Sequence, residues 1–151
     1  ALTLLLGVAP AQAQESPDPP AAGGWGAHAL HRVDVLRGDR PAWHETRVAV
    51  QRRSPAGSLG AEAARVERFG TADATLAVDA YRVLSRRAYA NVRVEGAPGA
   101  RVVPHLSALA HVYAGLAPGW EATAGGRYLV VPGADAALVT AGLARARGPF
   151  V

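Results

Sequence analysis

Cysteine and methionine are absent from the 151-residue chain, and so are lysine and isoleucine. Without cysteine there is neither a disulfide framework nor a thiolate metal site, which removes several enzyme classes at once. Without lysine the strong positive charge is all arginine, and these arginines are scattered. A formal net charge of +4 with no dense basic block argues against a nucleic-acid partner. Also missing is any amphipathic helical stretch of useful length. What the chain does have is 50% hydrophobic residues, mainly Ala, Val and Leu, against 19% charged ones, the balance of one folded domain rather than a disordered segment.

Residues 1–13 read as the end of a secretory signal: an apolar run from Leu2 to Ala9, then Pro10, then Ala11-Gln12-Ala13 as a small-x-small cleavage site. No initiator Met and no basic segment precede the run, so the chain is expected to begin inside that signal. Residues 14–24, polar and Pro-rich, fit a flexible periplasmic leader. Residues 25–151 form the folded unit.

From Trp25 onward one theme repeats, runs of about ten residues alternating in character and separated by turn residues. The clearest is the hairpin over 104–131, turning at Ala117-Pro118-Gly119. Its first arm sets Leu106, Ala108, Ala110, Val112, Ala114 and Leu116 against His105, Ser107, Leu109, His111, Tyr113 and Gly115. The second sets Trp120, Ala122, Ala124, Gly126, Tyr128 and Val130 against Glu121, Thr123, Gly125, Arg127 and Leu129. A spacing of two fits a strand with different surroundings on its two faces and does not fit a helix. Further strands are expected at 25–36, 43–52, 58–69, 75–86, 88–96 and 134–147, about eight in all. In the third, Arg65 and Glu67 lie opposite Ala64 and Val66, and Glu62 breaks the parity.

Two architectures share this period: a soluble barrel with its apolar face inward, and a membrane barrel with that face toward lipid. An apolar face made largely of Ala and Val is thin material for a close-packed core but serves against lipid. Charges on the other face, Arg93 with Glu95 and Glu121 with Arg127, suit a lumen filled by side chains and water. Trp25, Trp43, Phe69, Tyr89, Trp120 and Tyr128 lie near strand ends, where an interfacial girdle would be. The reading favoured is an all-β, antiparallel up-and-down transmembrane β-barrel.

Ordered blocks then carry a resemblance. They are Arg68-Phe69-Gly70 with Asp73, Asp79-Ala80-Tyr81, Leu84, Tyr89-Ala90 and Pro104, followed by Leu116, Gly119-Trp120-Glu121, Gly125, Arg127-Tyr128-Leu129, Ala141-Gly142 and Gly148-Pro149-Phe150. Together they resemble the YaiO-type outer-membrane β-barrel family over about half the chain. Thr75 and the segment 145–151 depart from the family's polar and aromatic residues there. The resemblance implies an outer-membrane location, contact with outer-membrane lipid and lipopolysaccharide, and assembly through the β-barrel insertion machinery. It also implies about four further strands, so the chain is expected to be truncated at both ends and the barrel incomplete. A link to surface polysaccharide is by analogy alone.

The candidate lumen residues are Asp79, Tyr81, Arg93, Glu95, His105, His111, Glu121 and Arg127. His105 with Ser107 has the His-x-Ser form of outer-membrane lipid A deacylases, but the register turns both residues away from lipid. His105 and His111 share a face about 20 Å apart, too far for one metal. No catalytic, metal or cofactor residue is assigned. Three readings stay open: a non-enzymatic outer-membrane barrel, as a small channel or a surface-polysaccharide component; a lipid-modifying barrel enzyme; and a soluble periplasmic β-barrel binding protein.

Overall fold

Alternation at period two, punctuated by Pro-Gly and Arg-Arg dipeptides, produces eight strands and no helix in a computed structural model that describes residues 23–36 and 40–146. The expected signal remnant and most of the leader lie outside the described residues. The strands are β1 (Trp25–Asp34), β2 (Trp43–Ser54), β3 (Gly57–Arg68), β4 (Thr71–Ser85), β5 (Ala88–Gly96), β6 (Leu106–Ala117), β7 (Trp120–Val131) and β8 (Ala134–Arg145). Each pairs antiparallel with its neighbour in sequence, giving one sheet in the order β1 to β8. Among the described residues β1 pairs only with β2 and β8 only with β7, so the sheet is not closed.

The connections divide by rim. At one, hereafter the turn rim, all three are two residues long: 55–56, 86–87 and 118–119. At the other, the loop rim, two-residue turns at 69–70 and 132–133 alternate with the long connections 35–42 and 97–105. Pro118-Gly119 and Pro132-Gly133 have the chemistry of a type II turn, proline fixing the first corner and glycine taking the left-handed second one at φ 76° and 79°. Phe69 adopts that conformation without being glycine, at φ 54°, and its ring packs edge-on against Trp43 with centroids 5.1 Å apart.

The pairing corrects several expected boundaries. β4 starts at Thr71, four residues before the expected start, because residues 71–74 complete the ladder with Arg68, Glu67, Val66 and Arg65. β2 continues to Ser54, since Arg53 and Ser54 pair with Ser58 and Gly57. β1 and β8 end earlier, at Asp34 and Arg145, and β6 starts at Leu106, so His105 belongs to the preceding loop.

The two faces differ in burial in the sense opposite to a soluble sheet. On one, Val48, Val50, Leu59, Leu76, Val78, Leu106, Val112, Leu116, Val139 and Leu143 are exposed. On the other, Ala49, Ala64, Val66, Asp73, Thr75, Ala77 and Ser107 are buried among charged and phenolic side chains. Side chains on this second face touch across an intervening strand: Arg93 of β5 meets Glu62 of β3, and Tyr89 of β5 meets Glu121 of β7. Such contacts require the sheet to curl toward that face, which is therefore the inner wall. The outer wall is the apolar one, and a sheet that turns apolar side chains outward and polar ones inward is matched to lipid.

The third strand departs from the expected pattern in an instructive way. Glu62 is inward together with Ala64 and Val66, while Arg65 and Glu67 are outward. The residue that breaks the sequence parity is thus the one that obeys the polar-inside arrangement, and its charged neighbours are the exceptions. Arg65 and Glu67 lie at the loop rim, 3.5 Å apart, where charged groups reach an aqueous interface.

Candidate functional site

The inner wall carries three polar groupings, stacked from the turn rim to the loop rim. Nearest the turn rim is a tyrosine row. The register sets Tyr89 opposite Val83 on β4 and Tyr113 on β6, so rings from three strands stand side by side. Tyr81 and Tyr89 are 5.3 Å apart, and Tyr89 and Tyr113 stack at 4.5 Å with planes only 10° apart. The Tyr89 hydroxyl donates to Glu121 Oε2 at 3.1 Å. His111 lies edge-on to Tyr113, with its Nδ1 3.4 Å from the Tyr113 hydroxyl. A side chain at Gly125, directly opposite His111, would collide with that imidazole and with the Ala110 carbonyl.

The middle level is a ladder of alternating charge. Glu62 Oε1 accepts from Arg47 Nη1 at 2.5 Å and from Arg93 Nη2 at 2.6 Å. Arg47 also bonds to Glu45, and Arg93 to Glu95 at 2.9 Å. Five ionised groups thus run continuously over β2, β3 and β5. The bridge over β4 exists because Ala77 faces Glu62 on one side and Glu95 on the other, leaving space that a larger residue would fill. These side chains are only partly exposed, between 11% for Glu62 and 30% for Arg47, so the ladder is shielded enough for its pairs to matter. Asp79 sits beside the ladder, directly opposite Arg93 and over Gly60, whose missing side chain leaves room for the carboxylate.

At the loop rim, the inward Asp73 organises the long connection 97–105. Asp73 Oδ2 accepts from three consecutive backbone amides, those of Arg101 (2.8 Å), Val102 (2.6 Å) and Val103 (3.1 Å). Successive amides converging on one carboxylate form an anion nest, here filled by the protein itself. The connection is therefore drawn onto the inner wall. Ala97 and Ala100 are buried, and His105 Nε2 lies 2.9 Å from the Ala100 carbonyl.

The expected lumen residues are distributed over these levels. Tyr81, His111 and Glu121 belong with the tyrosine row, and Arg93, Glu95 and Asp79 with the charge ladder. His105 is not a strand residue and belongs to the loop. The expected pairing of Glu121 with Arg127 does not form. Six residues of strand separate them by about 20 Å, and Glu121 instead accepts from Tyr89 while Arg127 Nε donates to Ser107 Oγ at 3.1 Å. Ser107 is thus engaged by an arginine and not by His105. The aromatic girdle is also smaller than expected: Trp25, Trp120 and Tyr128 are outward, whereas Trp43 and Tyr89 are inward.

Glu45, Arg47, Glu62, Asp73, Tyr89 and Tyr113 are the inner-wall residues the sequence reading did not single out as candidates. Their signal lies in register: Arg47, Glu62, Ala77 and Glu95 become neighbours only once four strands are aligned.

The model of the YaiO membrane beta barrel domain matches residues 28–151. No curated protein and no solved structure matches the chain.

Proposed function

The chain belongs to the YaiO membrane β-barrel family, and from that premise we propose that it is a non-enzymatic barrel of the bacterial outer membrane, exported through a cleaved signal peptide, whose inner wall lines a polar path for small hydrophilic solutes. The observation that carries this reading is the Glu45–Arg47–Glu62–Arg93–Glu95 ladder on the face toward which the sheet curls. Alternating charges held by neighbouring strands have little value in a lipid-facing wall, but in a lumen they order water and sort ions. The long connections both occupy one rim, as extracellular loops do in such barrels, which supports a periplasmic turn rim. The 97–105 connection, folded onto the inner wall by Asp73, narrows the path at the opposite mouth.

Membrane fractionation with heat-modifiable gel mobility tests the location; extraction by a high-salt wash without detergent would exclude it. Planar-bilayer conductance of the full-length gene product tests the path. Glu62→Gln removes the one carboxylate shared by Arg47 and Arg93, so the expected result is a conductance whose selectivity moves toward anions. A folded barrel with no conductance rejects the channel reading. Contact with lipopolysaccharide follows from the same location. A lipid-modifying activity is not favoured, since His105 and Ser107 have other partners.

A further inference from the structure

The outer wall at the turn rim has a charge distribution that the inner path does not use. Trp25 lies opposite Arg52 on β1 and β2, and Trp120 opposite Arg145 on β7 and β8. In each pair the guanidinium sits over the indole, at 5.9 Å and 5.1 Å from the ring centroid. Between them Arg82, Arg86 and Arg87 are exposed on β4 and its turn into β5. Among the described residues, none of these five arginines forms an ion pair.

Acids are placed so that they cannot serve them. Glu67 and Asp135 are the outward carboxylates among the described residues, and both lie at the loop rim, where Arg65 and the Tyr128 hydroxyl engage them. Near the turn rim Glu121 points inward, and so does Asp79 at the level of the charge ladder. Just inside that rim, Leu59, Leu116 and Leu143 are exposed on the outer wall. The hydrocarbon region therefore reaches that level, and the arginines fall at headgroup depth.

We propose that the turn rim is a binding belt for anionic phospholipid headgroups, with Arg52, Arg82 and Arg145 as the phosphate-binding residues. A guanidinium laid on an indole keeps its N–H edge free, and that edge matches two oxygens of a phosphodiester. Five uncompensated positive charges against a membrane favour a lipid whose headgroup adds no cation of its own. Phosphatidylglycerol meets that requirement and phosphatidylcholine does not. The tryptophans orient the arginines and report on the same lipids, because Trp25 and Trp120 are both outward at this rim while Trp43 is inward.

The test uses the full-length protein reconstituted in phosphatidylcholine vesicles containing phosphatidylglycerol, with bromine on the acyl chains of one lipid or the other. Tryptophan quenching gives the relative binding constant of the two lipids at the rim, with Trp43 adding a constant unquenched background. The expected result is a preference for phosphatidylglycerol of about fivefold or more at low salt, the scale set by one arginine near an anionic surface. It should fall toward unity at high salt and in the variant Arg52→Gln/Arg82→Gln/Arg145→Gln, whose folding is verified by heat-modifiable mobility. Should that variant not fold, Arg52→Gln and Arg145→Gln singly, with the salt titration of the unaltered protein, decide the question. Equal quenching by the two brominated lipids overturns the proposal, as does a preference that persists at high salt or without the arginines.

Discussion

Arg93 and Glu62 are joined at 2.6 Å although a whole strand lies between them. The guanidinium of one and the carboxylate of the other meet above Ala77, which is 4% exposed and contributes only a methyl group to the inner wall. Curvature and side-chain volume are thereby linked at one position. The pair forms because the sheet curls, and it holds the curl by tying β3 to β5.

Ala77→Leu should separate the pair. The added branched side chain occupies the space that Arg93 crosses, and overpacking at such a site costs about 1–3 kcal/mol. Urea unfolding of the reconstituted barrel should show a lower midpoint for Ala77→Leu than for Ala77→Gly. Equal midpoints would mean that the space above residue 77 is not what limits the contact.

Glu62→Gln and Arg93→Gln should not be additive. Each removes a partner from the same bond, so the double variant is expected to be more stable than the sum of the single losses predicts, by about 1 kcal/mol. Double-mutant unfolding cycles measure this directly. Arg65→Gln, on the outer wall and bonded to Glu67, serves as the independent site and should add to either within the error of the cycle.

Asp73→Ala should release the long loop without unfolding the strands. Three amide donors lose their shared acceptor. Hydrogen exchange at residues 101–103 should accelerate by at least about tenfold, while amides in the middle of β4 and β5 keep their protection. In conductance recordings the same variant should show a wider path at the loop rim.

Gly125→Ala should cost about 1–3 kcal/mol, because the new methyl meets both the His111 ring and the Ala110 carbonyl. Adding His111→Ala should recover only part of that loss, since the backbone contact remains. Thermal unfolding followed by heat-modifiable mobility distinguishes the two variants from each other and from the unaltered protein.

Much of the fold is legible in the sequence because a β-strand writes its faces into alternate residues. β5 has the bounds expected for it, and the parity of the 104–131 hairpin matches its inner and outer walls. The match to the family over residues 28–151 agrees with the resemblance carried by Asp79-Ala80-Tyr81 and Gly119-Trp120-Glu121. The site was less legible, for a geometric reason. Period two assigns Glu121 and Arg127 to one face but is silent about the distance along the strand that keeps them apart. It also cannot bring Glu62 to Arg47 and Arg93, which lie 15 and 31 positions away in the chain. Asp73 enters the sequence reading only as part of the family resemblance and not as a lumen residue, because its partners are backbone amides whose identity no side-chain pattern records.

The neighbour-only pairing of the eight strands bears on how the protein is built. Each hairpin can set its own register locally, with little chain entropy lost per step, so zipping can proceed strand by strand from either end of the sheet. The Glu62 carboxylate then has a history as well as a position. Zipping from the β1 end brings Arg47 to it first and Arg93 only after β4 and β5 are in place, and zipping from the β8 end reverses that order. In either direction the acid has both partners only when β2, β3, β4 and β5 are all paired in the correct register.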